Sequence, residues 1–514
     1  MRRWSYSVLC LCLLCFGYQP WVVAQVRKMG AKNSAPVNSP ANRFQQIQNL
    51  MRSGQHLQAA GELYRLKKTA SGADQQAAYL LGLSLKAAGF FELAALQFVD
   101  VIRMGKGSYY SPAVRQLLEV ADRSGDEAIL QYAVTKSNED FSGAPGLREI
   151  YALYKSEELS QAGQHDEALS LLRTVPVSSS RYFSAQYKAY LISLRAGQVD
   201  RALTIAQQML SQARTRSDRE LLVLALGRAA YQKKDFDRAI AFYSSIPRDS
   251  QHWPQSLFEL SWAQLRAARF RSVIGTMQTL HSPFFAEEYL PETFIVRSIV
   301  YLYICRFDEA EKTLDVFEKQ QGAVARAAIN FYNNHGQNLD RLWDELSKAQ
   351  KALAQNQLDR SYQGSLPFPV AKLILRDGQA MRYLQLHRYL AQELQQAQGL
   401  QGPLGNYAKK ALMKRRKYVE NKLANLAKNQ LSSLVNQWRE LSEQAGFIRY
   451  EIINGKKEIL KSKIAGKETE GTEIDSDIKR DFYIAAGYEY WPVDQEVWLD
   501  ELGNYHFMGQ QQCK

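Results

Sequence analysis

Histidine, cysteine and proline are scarce in this chain, at 7, 5 and 14 residues among 514. The histidines (His56, His165, His252, His281, His335, His387 and His506) are scattered, and none stands in HExxH or another metal-ligand spacing. That argues against a zinc protease. A Walker A loop, a G-x-S-x-G elbow and a G-x-G-x-x-G turn after a strand are missing too. The paired carboxylates Glu157-Glu158 and Glu287-Glu288 fall on helical stretches, where solvated charge explains them better than acid–base chemistry. The residues therefore point to no catalytic, cofactor-binding or metal site. A non-enzymatic protein is expected.

Three of the five cysteines (Cys10, Cys12 and Cys15) crowd into the first fifteen residues. Arg2 and Arg3 precede the apolar run VLCLCLLCF (8–16), which is too short to span a bilayer, and WVVAQ follows. This reads as a signal peptide over 1–24, cleaved after Ala24, with an uncleaved anchor as the alternative. A polar linker over 25–42 is expected to be disordered. Export implies a periplasmic or envelope-associated, membrane-peripheral location. It leaves Cys305 and Cys513 in a compartment that permits, but does not require, a bridge between them. The net charge is +13, or +11 without the leader's two arginines, and it favours acidic partners.

What is present is a periodicity. LLGLSLKAAGFFELAALQF (80–98) reads as helix, yet holds Gly82 and Gly89, each costing about 1 kcal/mol against alanine inside a helix. Gly89 marks a turn between two helices, and Gly82 a close approach by a neighbouring backbone, with Ala94 as its small counterpart. The pair of a packing residue and a small residue three later recurs. It reads Leu57/Ala60, Phe91/Ala94, Gly125/Ala128, His165/Ala168, Val199/Ala202, Phe236/Ala239, Phe270/Val273 and Phe307/Ala310, at steps of 34 to 40 residues. Four residues beyond each anchor stands a larger side chain, with Ala206 the exception.

This pattern resembles the tetratricopeptide repeat (TPR), a helix–turn–helix unit of 34 residues. Leu81-Gly82, Gly89, Phe91, Ala94 and Phe98 form one copy; Leu226-Gly227, Phe236, Ala239, Tyr243 and Pro247 form another. Ser156, Tyr190, Ser261 and Ser298 occupy the glycine's place elsewhere. The resemblance implies an all-α superhelical solenoid over 43–320 with about eight repeats, each burying its apolar face only against its neighbours. First helices would line a concave groove exposing Tyr79, Lys86, Tyr187, Arg228, Tyr231, Phe258 and Trp262. Aromatic and arginine residues are enriched at binding hot spots, so proteins or peptides are the expected partners; packing against adjacent helices is the competing explanation.

Past residue 320 the period lapses into long amphipathic helices over 321–465, interrupted by a proline loop at 364–370. They are expected to form a helical hairpin or coiled-coil arm, packed on the last repeats or projecting from them. Lys409, Lys410, Lys414, Arg415, Arg416 and Lys417 could meet an anionic membrane or cell-wall glycan, or form a solvated face. Nucleic acid fits poorly, because no aromatic platform is interleaved.

A polar linker (466–477) leads to an aromatic segment over 478–514. It holds Tyr490, Trp491, Trp498, Leu502 and Tyr505, too many large apolar groups for a solvated tail. It should dock, either as a cap on the solenoid's own open end or in another envelope protein. Trp491-Pro492 and Trp498-Leu499-Asp500-Glu501-Leu502-Gly503 are similar to the C-terminal segment of TPR proteins in bacterial gliding-motility envelope complexes. That resemblance implies a scaffold in an envelope complex. The alternative, from another class, is a peptidoglycan hydrolase or an activator of one.

Overall fold

A computed structural model describes residues 40–69, 75–137, 141, 144, 146–354, 362–465 and 498–507. The chain divides into two units, Met1–Gln55 and His56–Lys514. The first contains α1 (Pro40–Arg52), whose last turn closes by a bond from Gln55 N–H to the Leu50 carbonyl at 2.9 Å. The predicted leader, the 466–477 linker, Tyr490, Trp491 and Cys513 lie outside the described residues.

The second unit opens with α2 (His56–Thr69) and continues through seven helical hairpins. They are α3 (Gln75–Ala87) with α4 (Phe91–Arg103), α5 (Tyr110–Ser124) with α6 (Glu127–Lys136), and α7 (Leu147–Gln161) with α8 (His165–Leu172). Next come α9 (Tyr182–Arg195) with α10 (Val199–Gln212), α11 (Arg216–Gln232) with α12 (Phe236–Ser244), α13 (Trp253–Arg266) with α14 (Phe270–Leu280), and α15 (Pro291–Tyr303) with α16 (Phe307–Val316). Each helix packs on the next in the chain, so the hairpins form an all-α, TPR-like solenoid. The first copy read from the sequence is split between the two units.

Within the second unit one turn is used seven times. Gly89, Gly125, Gly163, Gly197, Lys234, Ala268 and Cys305 all hold positive φ, between 56° and 88°. The following residue donates its N–H back to a carbonyl five positions earlier, from Phe90 to Leu85 (2.9 Å) through to Arg306 to Tyr301 (2.8 Å). This 6→1 bond with a left-handed residue ends each first helix and satisfies one of its orphan carbonyls. Five residues after the left-handed position stands the buried anchor of the second helix, the small residue of most pairs. That spacing corrects one register: Ala128 is exposed, and Leu130, fully packed, holds the place five residues after Gly125.

The glycine's role is also sharper than expected. A Cβ at Gly82 would come within 2.5 Å of the Phe98 ring, and one at Gly227 within 2.5 Å of the Tyr243 ring. What the glycines admit is an aromatic ring from the paired helix, sixteen residues later, rather than a backbone. The same offset joins Leu118 to Val134, Ser156 to Leu172, Tyr190 to Ala206, Ser261 to Met277 and Ser298 to Leu314, every one buried. Small faces large, and large faces small, so the summed volume stays near what close packing needs. Tyr190 and Ala206, the two misfits of the sequence pattern, belong to one core cluster and compensate each other. The buried hydroxyls of Ser156, Ser261 and Ser298 donate to carbonyls three or four residues back, at 2.6 to 3.0 Å.

After α17 (Gly322–His335), α18 (Leu339–Ala354) and the short α19 (Phe368–Leu375), the chain forms α20 (Gly378–Ala397) and α21 (Gly402–Ile464). α21 has 63 residues, about 95 Å at 1.5 Å per residue. It pairs with α20 as a hairpin, but instead of projecting it lies back across the solenoid. Near its start Tyr407 meets Tyr64 of α2, with ring centroids 5.0 Å apart; further on, Trp438 stacks on Phe317 at 4.8 Å and Gly455 sits against Phe307. One buried seam through Leu423, Leu431, Trp438, Ala445 and Ile452 explains why. A continuous apolar stripe is stable only where something covers its whole length.

Candidate partner-binding surfaces

The first helices are cross-linked along one face. Lys86 of α3 pairs with Glu119 of α5 (2.7 Å), Glu157 of α7 with Lys188 of α9 (3.1 Å), and Arg228 of α11 with Glu259 of α13 (2.7 Å). Each link spans roughly one repeat, because equivalent positions on successive first helices are neighbours. The Arg228 guanidinium is forked, its Nε reaching both Glu259 oxygens at 3.1 and 3.0 Å. Such bidentate pairs fix geometry more than single contacts do.

Around that pair the structure gathers a tyrosine cluster. Tyr187 stacks on Tyr190 at 5.7 Å, and Tyr190 donates to the Ala225 carbonyl at 2.7 Å. Tyr243 bonds to Glu259. Burial raises the pKa of Tyr187, Tyr190 and Tyr243, so all three phenols stay protonated at neutral pH. The cluster thus offers aromatic faces, a fixed cation and hydroxyls. Of the sequence-selected residues it unites Tyr187 and Arg228; Tyr190, Tyr243 and Glu259 were not selected as site residues. Glu259 had a usable signal, an acid one repeat length after an arginine.

The other selected residues lie further along. Tyr79 is half-buried between Phe98 (5.9 Å) and Tyr109 (5.2 Å), and burial raises its pKa. Tyr231 meets Phe236 edge-on at 5.5 Å, and Phe258 and Trp262 are half-buried on α13. Beside Lys86 a hollow is lined by Leu83, Phe91, Gln116 and Arg123, with the Arg123 guanidinium 4.3 Å from the Phe91 ring.

The basic run on α21 is divided. Arg415 turns inward, 2.8 Å from Glu92 and in contact with Asp126, both buried at the starts of α4 and α6. Arg416 pairs with Glu420 (3.3 Å) and meets His387, while Lys417 pairs with Asp340. Lys410 and Lys414 are exposed and Lys409 half-exposed. Three of the six charges are therefore engaged within the protein. Next to Arg415, the buried Glu393 of α20 accepts the N–H groups of Glu92 and Leu93, both at 3.0 Å, and so caps α4 from outside its own chain segment. Burial pushes Glu92 up to about 8, with Asp126 adding repulsion against the pull of Arg415, and pushes Glu393 up to about 7 against its backbone donors.

The aromatic tail docks on its own chain. Residues 498–507 run across α13, α14 and α15, on the flank of the sixth and seventh hairpins rather than over an open end. Leu502 is buried, Gly503 donates to Thr279 Oγ1 at 2.9 Å, and Arg248 donates to the Asp500 carbonyl at 2.6 Å. Phe507 meets Tyr301 at 6.0 Å and lies under Arg306 at 5.9 Å. The Tyr505 hydroxyl bonds back to Trp498, whose indole is largely exposed. At Gly275 of α14 the tail backbone passes so close that a Cβ would overlap the Tyr505 carbonyl. Nothing in the helical pattern of α14 singled this glycine out. Cys305, the last left-handed turn residue, is disulfide-bonded.

Among the described residues no cluster of three His, Cys, Asp or Glu side chains could hold a metal ion. No described helix is long and apolar enough to cross a membrane.

No family model matches the chain, and no curated protein does. Some solved structures are similar to it. A tetratricopeptide repeat protein from Parabacteroides merdae is 13% identical over 48% of this chain and 93% of its own, with a TM-score of 0.31. The TPR domain of P58(IPK) is 10% identical over 74% and 98%, with a TM-score of 0.20. The APC/C hetero-tetramer Cut9–Hcn1 is 13% identical over 82% and 94%, with a TM-score of 0.21.

Proposed function

We propose that this protein is a non-enzymatic scaffold that holds other proteins or peptides in a bacterial envelope complex. The observation that carries the reading is the docked tail. Residues 498–507 form a short non-helical segment seated by one buried leucine, backbone hydrogen bonds and an aromatic contact, as a foreign peptide would be seated on a repeat array. The first-helix face offers a second such surface, with the Arg228–Glu259 fork and the Tyr187, Tyr231, Phe258 and Trp262 rings. The leader read over 1–24 supports export, and the Trp491-Pro492 and Trp498–Gly503 resemblance supports a complex of the gliding-motility type. Photo-crosslinking in cells, from probes at Tyr231 and Trp262, tests the reading. Discrete partner bands that vanish with Arg228→Ala are expected. Reproducible peptidoglycan release by the purified protein, abolished by a single carboxylate substitution, would overturn it.

A further inference from the structure

The last third of α21 has two apolar faces, and the described residues cover only one. Leu441, Ala445, Ile448 and Ile452 are buried on the inner side, which is held to α16 by Arg449–Asp315 (2.8 Å) and by Lys456 bridging Asp308 (2.8 Å) and Glu311 (2.6 Å). On the outer side Tyr450, Ile453, Leu460 and Ile464 follow one another at helical spacing, with Lys457 in the one vacant place. They are 60%, 66%, 59% and 79% exposed, and Phe447 beside them is 64% exposed. A run of large apolar groups left open over five helical turns marks an interaction surface.

The charges around the stripe select the occupant. Between 447 and 464 stand Arg449, Lys456, Lys457, Lys461 and Lys463 against Glu451 and Glu458; Arg449 and Lys456 are engaged with α16 and Lys461 pairs with Glu458 (2.6 Å), so the exposed Lys457 and Lys463 are the cations that lead the rim. Lys456 and Lys463 flank the stripe on one side and Lys461 on the other. Two copies of this helix, in either orientation, would therefore set lysine against lysine, which disfavours a homodimeric coiled coil. An apolar stripe rimmed by lysines on a helix held flat against a protein body instead fits the interfacial layer of an anionic bilayer. There the rings and branched side chains enter the headgroup boundary and the ammonium groups meet lipid phosphates.

We propose that the outer face of α21 from Phe447 to Ile464 is a peripheral membrane-binding surface that takes anionic lipid. The sequence placed such a contact at 409–417 of the same helix, where Arg415, Arg416 and Lys417 are engaged with Glu92, Glu420 and Asp340 while Lys410 and Lys414 stay exposed.

Vesicle flotation tests this, using the chain freed of its predicted leader. Vesicles of phosphatidylcholine alone are compared with vesicles containing about one third phosphatidylglycerol. The chain should float with the anionic vesicles only, and less so as salt is raised, because screening shortens the reach of the lysines. Leu460→Ser with Ile464→Ser, and separately Lys457→Glu with Lys461→Glu, should each lower the bound fraction about tenfold. These side chains are exposed, so an unchanged circular dichroism spectrum is expected for both variants. Three results would overturn the proposal. One is equal or absent flotation on both vesicle types, or flotation indifferent to either variant. Another is a concentration-dependent dimer, seen by light scattering and lost in the serine variant, which would assign the stripe to a second copy. The third is flotation that appears only after deletion of 466–497, which would assign it to the chain's own segment.

Discussion

Gly227 and Tyr243 show how a single repeat position is specified. The ring occupies the space a Cβ would need, so Gly227→Ser alone must displace a buried aromatic, at a cost of about 1–3 kcal/mol. The chain's own Ser261–Met277 and Ser298–Leu314 pairs show a serine to be acceptable opposite a smaller partner. Adding Tyr243→Leu to Gly227→Ser should therefore recover part of the loss. Chemical denaturation of the single and double variants, read as a double-mutant cycle, checks this. Additive losses would mean that the two positions do not share one volume. The glycines were legible in the sequence as places of close approach. Their true counterpart was not, because the smallness of Ala94 drew attention to a backbone contact when the contacting group was the ring of Phe98.

At the scale of elements, two joints between distant segments carry the arrangement. The tail crosses α14 at Gly275, so Gly275→Ala should release residues 498–507 while leaving the helices intact. Faster hydrogen exchange in that peptide, with unchanged circular dichroism, is the expected outcome; unchanged protection would show that the crossing is not needed for docking. The second joint is the carboxylate cluster where α20 and α21 meet α4 and α6. Because burial raises both Glu92 and Glu393, the folded chain retains protons that the unfolded chain releases above the ordinary value of 4.5. By linkage their contribution to stability is complete below about 4.5 and declines as pH rises through 7 to 8. Glu393→Gln cannot titrate, so melting temperatures measured from pH 5 to pH 9 should fall less steeply for the variant than for the natural chain. Parallel curves would remove Glu393 from the account. The amphipathic pattern of α21 was readable from its leucines. That Arg415 leaves the solvated run to face Glu92, some three hundred residues earlier, was not, since no local spacing connects them.

The whole second unit is a linear stack that one long helix bridges, from α2 at one end to α16 at the other. Repeat arrays are stabilised mainly by nearest-neighbour interfaces; here α21 and the tail add contacts between parts far apart in sequence. Cys305 takes part in a disulfide, and three of the other four cysteines fall within the predicted leader. In a chain freed of that leader Cys513 would be the expected partner, six residues beyond Phe507. Peptide mapping without reductant should recover a Cys305–Cys513 cross-linked fragment, and free thiols at both positions would refute it.

The amino-acid sequence by itself determined the helices, the hairpin period and the turns, since these follow from glycine, small residues and apolar spacing within one repeat length. Only the tertiary structure decided which side of α21 is covered, where the tail lies and which charges are engaged. Those outcomes depend on surfaces brought together by the accumulated stacking of seven hairpins, and no short stretch of the chain encodes that sum.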